Sequence, residues 1–234
     1  MHSSGTTRPI ASAMNRPADL PPLRWAITRT TPLRDSLSAL LGLKGPDHHL
    51  DLRANAFGLG AQHVAQVAAD LGFRFATLDA GECHPKLEVT ASLPESLWLQ
   101  LAHQHHAQLL QARVVNSKSV AAGAEVSYGG YYTTPTPTHL ALVAIGFADG
   151  VPRLNPVGGM VEARSQRFPV AGRIAMDQLI IDTGDEALVP GDVVTVWGGA
   201  VSATEWSEWS KRPLEVMGSG IGPRVHHVVD GPLS

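Results

Sequence analysis

A single cysteine, Cys83, in 234 residues excludes an internal disulfide, and without Cys or His ligands at metal spacing around it the thiol reads as idle. Lysine is scarce too. Any chemistry that needs a lysine amine must draw on Lys44, Lys86, Lys118 or Lys211. No cluster of Lys and Arg forms a basic footprint and the net charge is -3, which excludes nucleic acid as the expected partner. No apolar run approaches the roughly 18 residues of a membrane helix, so no membrane partner is expected. Residues 1–22 are rich in Ser, Thr, Pro and Arg and have no continuous apolar stretch, so they read as a disordered leader rather than a secretory signal. The expected compartment is the cytoplasm. No internal repeat is visible.

At 44% hydrophobic, the chain can bury a core of one large or two small domains. Leu33, Leu37, Leu40 and Leu41 lie on one helical stripe, which predicts a helix over Leu33 to Leu43. A short strand before Arg53 leads through Gly58 and Gly60 into a second helix, Ala61 to Leu71. A strand over Phe73 to Leu78 completes a βαβ unit. Ser96 to Leu110 reads as one more helix. Beyond it the character changes to short β runs: Ala112 to Asn116, Leu140 to Ile145, Met160 to Ala163, Phe168 to Ile174, Leu179 to Asp182 and Val193 to Trp197. Ser202-Ala203-Thr204-Glu205 is a capping box, predicting a helix over Ser202 to Lys211. Leu214 to Met217 and Val225 to Val229 read as closing strands.

Arg53-Ala54-Asn55-Ala56-Phe57-Gly58-Leu59-Gly60 is a strand end feeding a Gly-rich turn and a helix. Such a turn either cradles an anion on its backbone N–H groups or simply permits tight geometry. Tyr128, in Val126-Ser127-Tyr128-Gly129-Gly130, has Tyr131 and Tyr132 close behind it, as either a cluster of half-buried aromatic rings or a positioned base. Among the eleven histidines, His103 and His106 share a helical face, but no carboxylate sits at neighbouring helical spacing, so no metal is expected.

These motifs occur together and in order with Tyr132-Thr133-Thr134, Gly146-Phe147-Ala148-Asp149-Gly150, Val170-Ala171-Gly172-Arg173, Met176-Asp177-Gln178, Asp182-Thr183-Gly184 and Gly191-Asp192. From Val126 onward the sequence resembles the C-terminal β domain of alanine racemases, pyridoxal-phosphate (PLP) enzymes that interconvert L- and D-alanine. The resemblance implies that Tyr128 matches the family's proton-transfer base, which reaches the opposite subunit's site, and that Met176 matches a residue binding the substrate carboxylate. Arg53 to Gly60 resembles the family's PLP-lysine motif.

Here the chain departs from the pattern. Arg53 stands in place of the lysine, and a guanidinium cannot exchange an imine with an amino acid. Phe57 replaces a tyrosine that helps hold the cofactor phosphate, Leu59 a histidine and Phe147 a tyrosine near the substrate entrance, while Gly222-Pro223 stands where many members have another tyrosine. A (β/α)8 barrel takes about 250 residues, so residues 23–110 can hold only part of one.

The expected fold is α+β: a TIM-barrel-derived, truncated PLP-binding remnant over 23–110, then an all-β alanine-racemase-like domain over 111–234. PLP is the cofactor implied by resemblance, with binding expected to be lost or weak. The open alternatives are a catalytically degenerate racemase relative, a weak residual racemase using another lysine, and a homodimer or heterodimer partner that lends Tyr128 to a complete racemase. A small amino acid is the implied ligand. A remnant without the rest of its barrel is also expected to leave strand edges unpaired and apolar faces uncovered.

Overall fold

The computed structural model describes residues 21–91, 95–127, 129–154 and 158–230. β1 (Arg24–Arg29) runs straight into α1 (Thr30–Lys44), which buries Leu33, Leu37 and Leu40 on the expected stripe and stops at Gly45. Next come β2 (Leu50–Asp51), the single turn α2 (Arg53–Gly58), α3 (Ala61–Leu71), β3 (Phe75–Thr77) and β4 (Glu88–Val89). β2, β3 and β4 pair in parallel, and α3 ends at Gly72 in the left-handed conformation that a glycine adopts without penalty.

α4 (Leu97–Gln104) is shorter than the helix expected to reach Leu110. The chain leaves helical geometry at His106, φ 55°, and β5 (Gln108–Val120) begins at once. β5 buries Gln108, Leu110, Ala112 and Val114 in strict alternation, so period two wins over helical spacing as soon as β1 and β12 supply partners.

β6 (Glu125–Val126) and β7 (Tyr132–Thr133) form a separate hairpin, and β8 (Thr138–Val143) leads to a 3-10 turn at Phe147–Asp149. Then follow β9 (Met160–Ala163), β10 (Gln166–Pro169), β11 (Leu179–Gly184) and β12 (Val193–Trp197). β10 ends five residues before the expected Ile174, leaving Val170 to make one isolated bridge to Ile181. α5 (Ala203–Ser210) carries the expected capping box, with Ser202 Oγ accepting from Glu205 N at 3.1 Å and Glu205 accepting from Ser202 N at 2.8 Å.

Leu214 to Met217 is not a strand. It begins α6 (Leu214–Ser219), because Pro213 fixes φ at -56° just before the first turn and Met217 turns inward as a helical residue. β13 (His226–Asp230) closes the chain, parallel to β1.

The larger sheet runs β10-β9-β12-β5-β1-β13, with β8 and β11 branching from β5 past a bulge between Val114 and Asn116. β1 therefore lies between β5 and β13, in the sheet of the second part, although the expected boundary at 110/111 groups it with the first.

Two cores result. One lies within the larger sheet and under α5, around Leu110, Val143, Ile145, Val161, Trp197 and Trp206. The other joins α1, α3 and α4 to the three-stranded sheet around Leu33, Leu37, Leu50, Val64, Val67 and Trp98. The second corrects the expectation of uncovered apolar faces. α4 supplies Trp98, fully buried, and its indole N–H donates to the Asp51 carbonyl at 2.8 Å, so a side chain satisfies part of the β2 edge.

Candidate functional site

The most unusual backbone in the molecule is α2. Ala54, Asn55, Ala56 and Phe57 all have φ between 51° and 55° and ψ between 43° and 47°, a left-handed turn of non-glycine residues. Left-handed geometry costs about 1–2 kcal/mol for each such residue, so the surroundings must hold it. Ala56 N donates to Leu52 O at 2.9 Å and Gly60 N to Asn55 O at 3.0 Å. The Asn55 side chain accepts from Ala61 N at 2.9 Å, and Asn55 N donates to Asp79 at 3.3 Å. Those N–H groups are therefore spent within the chain, which weakens the anion-cradle reading of this turn.

Glycine is required where α2 meets α6. A Cβ on Gly58 would lie 2.7 Å from Gly218 O, and one on Gly218 would lie 2.2 Å from Phe57 O. The two backbones touch, so neither position tolerates a side chain.

Arg53 closes a fork on Asp51, with Nε to Oδ1 at 2.8 Å and Nη2 to Oδ2 at 2.6 Å, and its own N–H reaches the same carboxylate at 3.2 Å. Asp51 is buried while the arginine side chain is partly open. The hydrogen bond that Arg53 donates to Asp51 holds the guanidinium pKa above its usual value against the opposing effect of burial. Phe57 is buried, its ring tilted against Trp98 at 6.2 Å, and it offers no donor. Leu59 is buried and its carbonyl accepts from Thr28 Oγ1 at 2.7 Å, tying the turn to β1.

The four lysines lie elsewhere. Lys44 ends α1, Lys86 pairs with Asp70 at 2.8 Å, Lys118 lies on the outer half of β5 and Lys211 follows α5.

In the other part, two motifs picked out in the sequence interlock. Phe147 N and Ala148 N donate to Ala175 O and Met176 O, both at 3.0 Å, and a Cβ on Gly146 would sit 2.4 Å from Ala175 O. The Met176 side chain is 56% exposed, so it is available to a ligand or a partner rather than to the core. Asp149 is fully buried, and its Oδ1 meets Arg24 at 2.7 Å and Arg224 at 3.0 Å while Oδ2 accepts from Gly146 N at 3.0 Å. Arg224 also holds Asp177 at 2.5 Å. The sequence motif singles out Asp149 but neither of its arginine partners. Their separation, 125 residues for Arg24, leaves no local signal.

Tyr128 lies outside the described residues. On either side of it, Ser127 (φ 64°) accepts from Arg173 N at 2.8 Å through Oγ, and the Arg173 guanidinium stacks on Tyr131 at 3.9 Å. Tyr132 donates to Asp182 Oδ2 at 2.6 Å, and Thr138 donates to the other oxygen. Burial, then Asp182, raises the Tyr132 pKa, so this phenol keeps its proton. Burial alone would raise the Asp182 pKa, but hydrogen bonds from Thr138, Tyr132 and Gly184 N outweigh it and lower it.

The structure unites Arg53 and Phe57 in one turn and sets Met176 beside the larger sheet. No described hydrogen bond, ion pair or ring contact joins Arg53 or Phe57 directly to Met176. His103 does not share a polar face with His106: it is buried within α4, where burial and then His106 lower its pKa to about 4. Among the described residues, no group of three or more His, Cys, Asp or Glu is placed to hold a metal ion.

A small α/β layer joined to a β domain, with glycine-locked turns at 146–150 and 172–178, defines the class of this chain. Comparison then gives the family. The family model "Alanine racemase, C-terminal domain" matches residues 107–229. An alanine racemase of Salinispora tropica is 43% identical over 106 residues, 44% of this chain and 28% of that protein. One of Vibrio atlanticus is 33% identical over 177 residues, 74% of this chain and 41% of that protein. The chain thus spans well under half the length of these relatives.

Among solved structures, alanine racemase from Streptomyces coelicolor A3(2) matches with TM-score 0.70 and 19% identity, covering 88% of this chain and 97% of that one. Alanine racemase from Bartonella henselae with covalently bound pyridoxal phosphate matches with TM-score 0.74 and 14% identity, covering 90% and 100%. At such identities the structures speak for the fold alone. This chain belongs to the alanine racemase family.

Proposed function

We propose that this chain is a shortened member of the family that has lost the family's PLP-dependent racemisation of alanine. The Arg53–Asp51 fork carries the reading: at the position that resembles the PLP lysine, a guanidinium is locked bidentately onto a buried carboxylate. A covalent PLP site needs an amine there and donors for the phosphate. Arg53 supplies no nucleophile, Phe57 supplies no hydroxyl, and Trp98 packs against Phe57. These residues do not fit covalently held PLP.

Residues 23–110, apart from β1, are read as the remnant of a barrel and residues 111–234 as the β domain. A fold match reaching nearly all of the other chain, beside sequence matches to 28% and 41% of two relatives, supports shortening in the interior. The test is titration with PLP followed by borohydride and peptide mass. We expect no visible imine absorbance and no pyridoxyl-lysine. An adduct on Lys44, Lys86, Lys118 or Lys211 would instead favour residual chemistry through an unusual lysine.

A second reading makes the β domain a dimer partner that contributes Tyr128, and binds substrate through Met176, in a complete racemase. The exposed Met176 and the Tyr131–Arg173 stack support it, since methionine, aromatic rings and arginine are the side chains enriched in interfaces. Co-purification with a racemase, weakened by Met176→Asp or Arg173→Glu, is the expected outcome. A monomer indifferent to a racemase at high concentration would sink it.

A further inference from the structure

A cleft apart from the Arg53 turn opens between the hairpin β6–β7 and one face of the strands β5, β8 and β11. Its floor is set by register. Leu140 pairs with Lys118, and Leu142 pairs with Asn116 on one side and Ile180 on the other, so these side chains share a face of the pleat. Val126 closes the cleft from the hairpin, packed with Leu140 and Ile180.

The rim carries one charge of each sign, Lys118 from β5 and Glu125 from β6. Among the described residues neither has an ion-pair partner, and they do not pair with each other. Opposite charges on the rim of an apolar floor complement a ligand with both charges and an apolar body. The volume, about 230 Å³, corresponds to about eight water volumes. That admits one aliphatic amino acid.

We propose that this cleft binds a free α-amino acid with a medium-sized aliphatic side chain, its carboxylate on Lys118, its ammonium on Glu125 and its side chain over Leu140, Leu142 and Ile180. The site is independent of the reading of Arg53, and stands or falls without it. Apolar enclosure with a few convergent polar groups is the usual build of a small-molecule site, and each charge-assisted contact contributes enough to be read in affinity.

The test is isothermal titration, with chemical-shift mapping, of L-leucine, leucinamide, N-acetyl-leucine and L-alanine. Leucine should bind saturably and shift signals of Lys118, Glu125 and Leu142. Leucinamide and N-acetyl-leucine should each bind about tenfold more weakly for the loss of one charged contact. Alanine should lose at least about tenfold for the uncovered floor. Lys118→Met should erase the difference between leucine and leucinamide, and Glu125→Gln that between leucine and N-acetyl-leucine. Both side chains are exposed, so the variants should fold. No saturable binding, equal binding of all four ligands, shifts elsewhere, or variants that leave the differences intact would each overturn the proposal.

Discussion

Buried polar groups are treated differently in the two parts of the molecule. Around the larger sheet, Asp149 is met by two arginines and a backbone N–H, and Asp182 by Tyr132, Thr138 and Gly184 N. Around the three-stranded sheet and its junction with β5, three buried side-chain nitrogens find no partner among the described residues: His48 Nε2, His103 Nε2 and Gln108 Nε2. An unsatisfied buried group costs about 1–3 kcal/mol, so the α/β part, at His48 and His103, and its junction with the larger sheet, at Gln108, carry a burden that Asp149 and Asp182 do not.

The same part holds its shape by fewer means. Three two- or three-residue strands cannot fold alone, so α4 with its buried tryptophan does the sealing. Trp98→Ala should therefore cost about 3–5 kcal/mol and unfold the α/β part first. Hydrogen exchange should show lost protection in α1, α3 and α4 with β5, β8 and β11 still protected. Loss of protection everywhere at once would mean that the parts are one cooperative unit.

Acid should act on the same side of the comparison. His103 has its pKa lowered to about 4 by burial, below the value of about 6.5 for an unfolded chain. The unfolded state then binds the extra proton between those values, so the stabilisation is present above pH 6.5 and is lost as pH falls towards 4. On the order of 3 kcal/mol is at stake. Denaturant midpoints measured from pH 7 to 4 should fall for the parent chain and fall less steeply for His103→Leu.

The β part should break most visibly at Asp149. Asp149→Asn leaves Arg24 and Arg224 facing each other without the carboxylate, at a cost of about 3 kcal/mol. A global transition at lower denaturant is the expected readout, with Tyr132→Phe, which removes one bond to Asp182, costing about 1 kcal/mol. At the join, Gly218→Ala forces a methyl against Phe57 O and should cost about 1–3 kcal/mol, detectable as faster proteolysis around α2 and α6.

The strands and helices that pack by simple periodicity were legible in the sequence: α1 and α3 from their leucine and valine stripes, α5 from its capping box, β9 and β12 from short β runs. The failures have local causes. Leu109 and Leu110 fit a helical stripe as well as a pleat, and only the partners of β5 decide between them. Leu214 to Met217 alternates like a short strand, and the fixed φ of Pro213 before it starts a helix instead.

At the candidate site, Arg53 and Phe57 stood out by chemistry. The left-handed turn around them was hidden, since Ala54, Asn55 and Ala56 announce no such geometry. Trp98 was equally hidden, because its role depends on the Asp51 carbonyl 47 residues away.

The central claim, that racemisation is lost with the lysine and its surroundings, is tested most directly by following D-alanine formation from L-alanine with saturating PLP. Parent chain and Arg53→Lys should be measured side by side. The account predicts background rates for both, because restoring an amine at 53 restores neither a phosphate donor at Phe57 nor space beside Trp98. Turnover by the parent chain would contradict it outright, and turnover by Arg53→Lys would show that the fork alone, and not the sealed α/β part, holds the chemistry off.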